Sequence, residues 1–280
     1  MNVIHLFFSL LCFLTLFSPL ALAHHPVASA NSGSRTLYYQ GNQAQPSSRA
    51  YFSFDFQHED NAIGQLLTFN LGGEWALSKK ISLLGLIPLN YLAHNARNNE
   101  WGLGDISFGG KVSFLADKTI LFSSLQIFLP TGDQGKGFGR KGIGNQFDLF
   151  GGITLHDWVL YLNPGINFGW SSPRDPVFSA VLGLESPHIL DEKINFGLSL
   201  SSNTYLDSAT FTAGSSKVSL NPQINWSFDK KRKWTLTQSL HVSIIDQLSL
   251  KPAVTLNNTS LSLLNDTLWG LTTTLNYNFN

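Results

Sequence analysis

The run Trp158-Val159-Leu160-Tyr161-Leu162-Asn163-Pro164-Gly165-Ile166-Asn167-Phe168-Gly169-Trp170 puts large apolar side chains at every even position. The odd positions of its centre are small or polar. Side chains alternate faces along a strand, so this run has one face suited to hydrocarbon and one suited to water. The same split recurs at Val218, Leu220, Pro222, Ile224, Trp226 and Phe228 against Ser219, Asn221, Gln223, Asn225 and Ser227. It returns at Trp269, Leu271, Thr273, Leu275, Tyr277 and Phe279 against Gly270, Thr272, Thr274, Asn276, Asn278 and Asn280. A soluble two-layer sandwich also uses alternating strands, and the tryptophans separate the two cases. Trp75, Trp101, Trp158, Trp170, Trp226, Trp234 and Trp269 all fall at or near the ends of such runs. A soluble core buries tryptophan mid-strand, whereas a membrane barrel keeps it in two girdles at the headgroup level. The expected fold is an all-β, transmembrane antiparallel β-barrel.

The first 23 residues predict export. Ile4 to Leu22 is apolar apart from His5 and a few Ser and Thr, and it ends in Ala21-Leu22-Ala23, a small-x-small cleavage pattern. Cleavage there removes Cys12, the single cysteine, so disulfide and thiol chemistry are excluded from the mature chain. No other stretch approaches the roughly 18 consecutive apolar residues of a spanning helix. Export without a helical anchor, combined with alternating strands, predicts the outer membrane of a Gram-negative bacterium. Lys+Arg and Asp+Glu are both 18, so charge balance gives no argument for a nucleic-acid partner.

The chain divides into a signal peptide (1–23), a polar N-terminal segment (24–49) rich in Ser, Gln, Asn and Gly, and a barrel (50–280). Strands are expected near 50–59, 65–76, 81–91, 101–115, 120–131, 145–155, 158–170, 177–186, 193–205, 215–228, 234–245 and 267–280. Short and long connections alternate, as periplasmic turns and outer loops do. The count is twelve strands. Fourteen is the alternative, if Leu248 to Leu256 and Ser260 to Leu264 form two more. Proline has no N–H to give a ladder, so Pro164 and Pro222, with Pro88, predict local breaks or bulges in the wall. Such a break serves curvature or opens a sideways exit for an apolar solute.

Charges within strands fall on the polar parity: Asp55, Glu74, Asp105, Lys111, Asp148, Glu185 and Lys217. A lipid-facing Lys near the midplane costs about 2–4 kcal/mol, so any barrel places them inward. Asp105, Lys111 and Asp148 are candidates to line the lumen and select solutes, against the plainer role of a solvated, ion-paired interior. Gly137 to Gly142 matches GxGxxG but lacks the strand–turn–helix context of a nucleotide site. Lys136, Arg140 and Lys141 in that loop are suited to lipopolysaccharide phosphates. His241-Val242-Ser243 invites a hydrolase reading, but its parity turns His241 and Ser243 away from lipid and no orienting third group is evident. His24-His25-Pro26 and the other histidines form no metal-ligand array, so no metal and no cofactor are expected.

One stretch resembles a known family. Gly102-Leu103-Gly104-Asp105-Ile106-Ser107-Phe108-Gly109-Gly110-Lys111 and Leu129-Pro130-Thr131-Gly132-Asp133, with the Gly-rich loop and return strand after them, look like the outer-membrane family named for the MetA pathway of phenol degradation. That family is related to the long-chain fatty-acid transporters. The resemblance covers roughly residues 81–155. It implies a non-enzymatic channel or uptake porin that passes small hydrophobic or aromatic molecules, without a cofactor. The partners expected are outer-membrane lipid, lipopolysaccharide and a small-molecule solute. The competing expectation is a non-conducting structural or adhesive barrel with a packed lumen.

Overall fold

In the computed structural model the described residues are 45–59, 64–93, 98–133, 136, 138–139, 142–169, 176–190, 193–206, 213–228, 233–245 and 269–279. The signal peptide, most of the polar N-terminal segment and the stretch 246–268 lie outside them. All thirteen strand segments belong to one antiparallel sheet. They are β1 (Arg49–Glu59), β2 (Gly64–Ala76), β3 (Ile81–Ala93), β4 (Glu100–Leu103), β5 (Ser107–Ala116), β6 (Thr119–Phe128) and β7 (Gly144–Leu155). The others are β8 (Trp158–Gly169), β9 (Val177–Glu185), β10 (Ile194–Leu206), β11 (Ala213–Ser227), β12 (Trp234–Ile245) and β13 (Trp269–Asn278). Apart from β4 and β5, each strand pairs with its neighbours in the chain, and β1 pairs with β13 from His58↔Trp269 to Arg49↔Asn278, which closes the sheet. Because β4 and β5 both pair with β3, they are two halves of one wall strand, and the barrel has twelve strands. Direct pairing of β12 with β13 over nine positions, Trp234↔Tyr277 to Val242↔Trp269, leaves no room for two strands between them there.

The two-residue alternation runs along the strands and slips at bulges, as at Ser113/Leu115 on β5, where Phe114 and Leu115 are both exposed. Along β3 the burial alternates, with Ser82, Leu84, Leu86, Pro88, Asn90 and Leu92 inward. On β8 it is Tyr161, Asn163, Gly165 and Asn167 that turn inward, while Trp158 and Phe168 face out. The outer surface is a band of Leu, Ile, Phe and Val, and Trp75, Trp101, Trp158, Trp226, Trp234 and Trp269 are outward-facing at its margins. An apolar exterior with aromatic margins and a closed, edgeless sheet is the form in which β-structure crosses a bilayer. The protein is an outer-membrane barrel. The turns at 77–80, 117–118 and 156–157 mark the periplasmic rim.

The wall departs from the sequence expectation at three prolines. Pro164 leaves a two-residue gap in the β7–β8 ladder, between Asp148↔Gly165 and Gly151↔Leu162, but the register on both sides is unchanged. Pro222 does the same between β11 and β12, from Leu220↔Val242 to Gln223↔Ser239. Both remain paired on their other side, to Ala180 and Leu198. They are missing hydrogen bonds rather than bulges, because a residue without N–H withdraws from one ladder only. The larger interruption is at Pro88. There the expected continuous strand 101–115 splits into β4 and β5, and the register slips by one residue between Leu86↔Ser107 and Leu89↔Leu103.

Candidate functional site: the barrel lumen

Lumen-facing residues divide by depth. In the periplasmic half, Glu74 on β2 ties together three inward side chains. Its Oε2 lies 2.6 Å from Arg49 Nη2, and its Oε1 lies 2.5 Å from Lys111 Nζ. The Ser82 hydroxyl donates to the same Oε1 at 2.6 Å. Lys111 Nζ also sits 5.5 Å from the centre of the Phe122 ring, within cation–π range. From Phe122 an aromatic stack crosses the wall: Phe122 to Phe150 at 4.7 Å, then Phe150 to Tyr161 at 5.2 Å. Ile120 and Val181 complete this buried cluster. The wall from β1 to β9 thus contributes a charged and aromatic layer. Facing it, β10 to β13 present small polar residues, among them Asn195, Thr237, Thr274 and Asn276.

Glycines let these rings lie flat on the wall. Gly72 is in register with Tyr51 and Gly183 with Tyr161, and a Cβ at either would come within 2.4 Å of the partner ring. A ring lying over a strand glycine restores the packing that the missing side chain gives up.

In the extracellular half the lumen is mainly amide and hydroxyl, and its top is partly covered by a folded-in loop. The segment after β6 runs back along the β4–β5 break. Leu129 N–H donates to Ile106 O at 2.8 Å, Asp133 N–H donates to Leu103 O at 3.0 Å, and Ile106 N–H donates to Thr131 Oγ1 at 2.9 Å. Asp105 Oδ1 accepts the Gly132 N–H at 3.1 Å. The same loop carries Phe138 inward onto Leu66 and Leu92, where it lies over Gly102. Lys136 folds onto Trp101 O and Asp133. Arg140 and Lys141, its companions in the expected lipopolysaccharide contact, lie outside the described residues.

The three charged candidates face inward at separate points. Asp105 holds the strand break, Lys111 joins the periplasmic layer, and Asp148 accepts a hydrogen bond from Gln146 Nε2 at 2.8 Å. Lys111 and Asp148 share a register row through Ser124, two strand spacings or about 10 Å apart. The Lys217 side chain lies outside the described set. Sequence reading missed Glu74 as the shared partner of Lys111 and Arg49, because only the register from β1 through β2 and β3 to β5 brings the three together. It missed Phe138 because no period marks an inward loop residue.

His241 also faces the lumen. Its Nδ1 lies 2.5 Å from Asn221 Oδ1, and its Nε2 lies 3.1 Å from Thr272 Oγ1 and 3.5 Å from Ser239 Oγ. Asn221 Nδ2 donates onward to Ser201 Oγ at 3.0 Å. This chain stitches β10 to β13 behind the Pro222 gap. Asn221 occupies the place of the orienting group that the sequence did not supply. The hydroxyls at Nε2 are buried in the wall, away from lipid, and the Ser243 side chain lies outside the described residues. Among the described residues no group of three or more His, Cys, Asp or Glu is arranged to hold a metal.

No family model matches the chain, and no curated protein matches it. Solved structures do. The chain is similar to an outer-membrane channel from Pseudomonas putida F1, with a TM-score of 0.59 at 14% identity over 84% of this chain and 96% of that one. It is also similar to the NanC porin, with a TM-score of 0.50 at 7% identity over 81% of this chain and 98% of that one. At such identities the likeness is one of fold: an outer-membrane β-barrel.

Proposed function

We propose that this chain is an outer-membrane uptake channel for small, hydrophobic or aromatic molecules, shut in the described conformation by its periplasmic layer. The observation that carries the reading is the state of the lumen's polar atoms. Asp55 Oδ1, Asn70 Oδ1, Asn145 Oδ1, Asn163 Oδ1, Asn195 Oδ1 and Asn276 Nδ2 are buried and have no hydrogen-bond partner among the described residues. Buried polar groups without partners are costly, and a purely structural interior satisfies or replaces them. A lumen that admits water and solute supplies the partners from outside. The resemblance in residues 81–155 supports the solute class, as does an aromatic layer on the solute's path. The loop bearing Phe138 guards the outer mouth, and no chemistry on the solute is assigned to the wall.

The specific alternative is a packed structural barrel, favoured by the 0–2% exposure of Phe122, Phe150 and Tyr161. Planar-bilayer recording of the refolded chain separates the two. The channel reading expects small conductance steps that aromatic solutes block, and larger steps when Phe122→Ala and Phe150→Ala are combined. Insertion without conductance in both wild type and the double variant would establish the structural barrel instead.

A further inference from the structure

On the lumen face of β1, Asp55 is 2% exposed. Its Oδ2 accepts Asn70 Nδ2 at 2.8 Å, its carboxylate is hydrogen-bonded by Thr272, and its Oδ1 has no partner. Asn70 is fully buried and donates through Nδ2 to Ser53 Oγ at 3.0 Å as well. A carboxylate oxygen only accepts, so Asn70 must present nitrogen to Asp55, and this fixes its Oδ1 as a second acceptor without a partner. Two acceptors, one of them on a carboxylate, therefore stand on adjacent strands with no donor to them among the described residues.

Among the described residues no lysine or arginine is paired with this carboxylate. The two basic side chains buried in the described lumen, Arg49 and Lys111, are both engaged by Glu74 in the periplasmic layer. Asp105 and Asp148 are further buried carboxylates of the wall. An uncompensated buried charge is strongly unfavourable, and a cation that enters the lumen removes the penalty. Along the same face of β2, Thr68 and Leu66 follow Asn70 toward the outer mouth, and Leu66 packs with Leu92 and Phe138. A polar anchor and an apolar patch thus lie one above the other.

We propose that the outer half of the lumen holds a binding site for a primary ammonium group, whose N–H bonds are accepted by Asp55 Oδ1 and Asn70 Oδ1 while Leu66, Leu92 and Phe138 receive the apolar body. An ammonium suits the pair because it brings three donors and one positive charge. The solutes admitted then include small amphipathic amines, and aromatic carboxylates are disfavoured. The site rests on the channel reading only for the route by which solute arrives.

Calorimetric titration of the refolded, detergent-held full barrel tests it, with 2-phenylethylammonium and 3-phenylpropionate as probes of similar body and opposite charge. The ammonium binds, and the carboxylate binds about tenfold more weakly or not at all. Asp55→Asn weakens ammonium binding about tenfold or more, as loss of a charge-assisted bond does, while Asp117→Asn, on the exposed turn after β5, leaves it unchanged. Phe138→Ala weakens the aryl amine but not methylammonium. Should Asp55→Asn fail to show the heat-modifiable gel shift of a folded barrel, Asn70→Ser is read in the same way. No binding, equal binding of both charges, or an unchanged affinity in Asp55→Asn overturns the site. Bilayer conductance is scored separately: conductance without amine binding ends this proposal alone, whereas amine binding without conductance ends the channel reading and leaves the site.

Discussion

Glycine opposite an aromatic ring recurs at Gly72 with Tyr51, Gly183 with Tyr161 and Gly102 with Phe138. At Gly183 a new side chain must push Tyr161 off the wall and out of its stack with Phe150. Gly183→Val should cost about 1–3 kcal/mol, seen as a lower urea midpoint in lipid bilayers. Gly85 is the internal control, because a Cβ there meets nothing within 4 Å; Gly85→Ala should leave the midpoint unchanged. Glu74 is a different case. Glu74→Gln removes the charge that bridges two buried cations, and about 3–5 kcal/mol of stability should be lost in the same assay. An unchanged midpoint would mean that Arg49 and Lys111 find water instead. At this scale the sequence was half legible. Parity alone turned Lys111 and Asp148 inward, but a partner across the wall depends on register, which no local pattern encodes.

At the scale of elements the alternation carried almost everything. The twelve expected strands are present, because a wall between lipid and lumen enforces the two-residue period at every step. The turn between β7 and β8 was legible as well. His156 and Asp157 both have positive φ, 49° and 67°, the signature of a two-residue type I′ hairpin. Asn-Gly is better suited to that conformation, so the variant His156→Asn with Asp157→Gly should gain about 0.5–1 kcal/mol in urea unfolding. No gain would place the strain of the turn elsewhere. The prolines were visible but their effects were not. Pro164 and Pro222 cost a ladder two pairs each, whereas Pro88 sits at the slip between β4 and β5. The difference comes from the facing strand: the Gly104 N–H still reaches Pro88 O at 2.9 Å, while the Gly104 carbonyl and the Ile106 N–H turn to Thr131 of the β6–β7 loop.

For the whole molecule, barrel closure was foreseeable but the filling of the lumen was not. Strand number and polarity say that an interior exists, while the stagger of the strands decides which side chains meet inside it. Twelve strands leave room either for a path or for a packed centre, and this barrel has both, at different depths. The seam between β1 and β13 has a consequence in time. Every other seam joins strands close together in the chain, the longest connection being 246–268 between β12 and β13, so each closes a far smaller loop. This one joins the far ends of the described chain, and it carries the loop-closure entropy alone. Until it zips, two raw sheet edges face hydrocarbon that can offer them no hydrogen bond. Birth of the barrel should therefore run from hairpins to seal. Cysteines placed at Ser53 and Thr274, which face each other across the seam, should crosslink only late in refolding. A pair at Ser123 and Leu149 should do so early, and simultaneous crosslinking would show instead that the sheet curls shut before its hairpins are made.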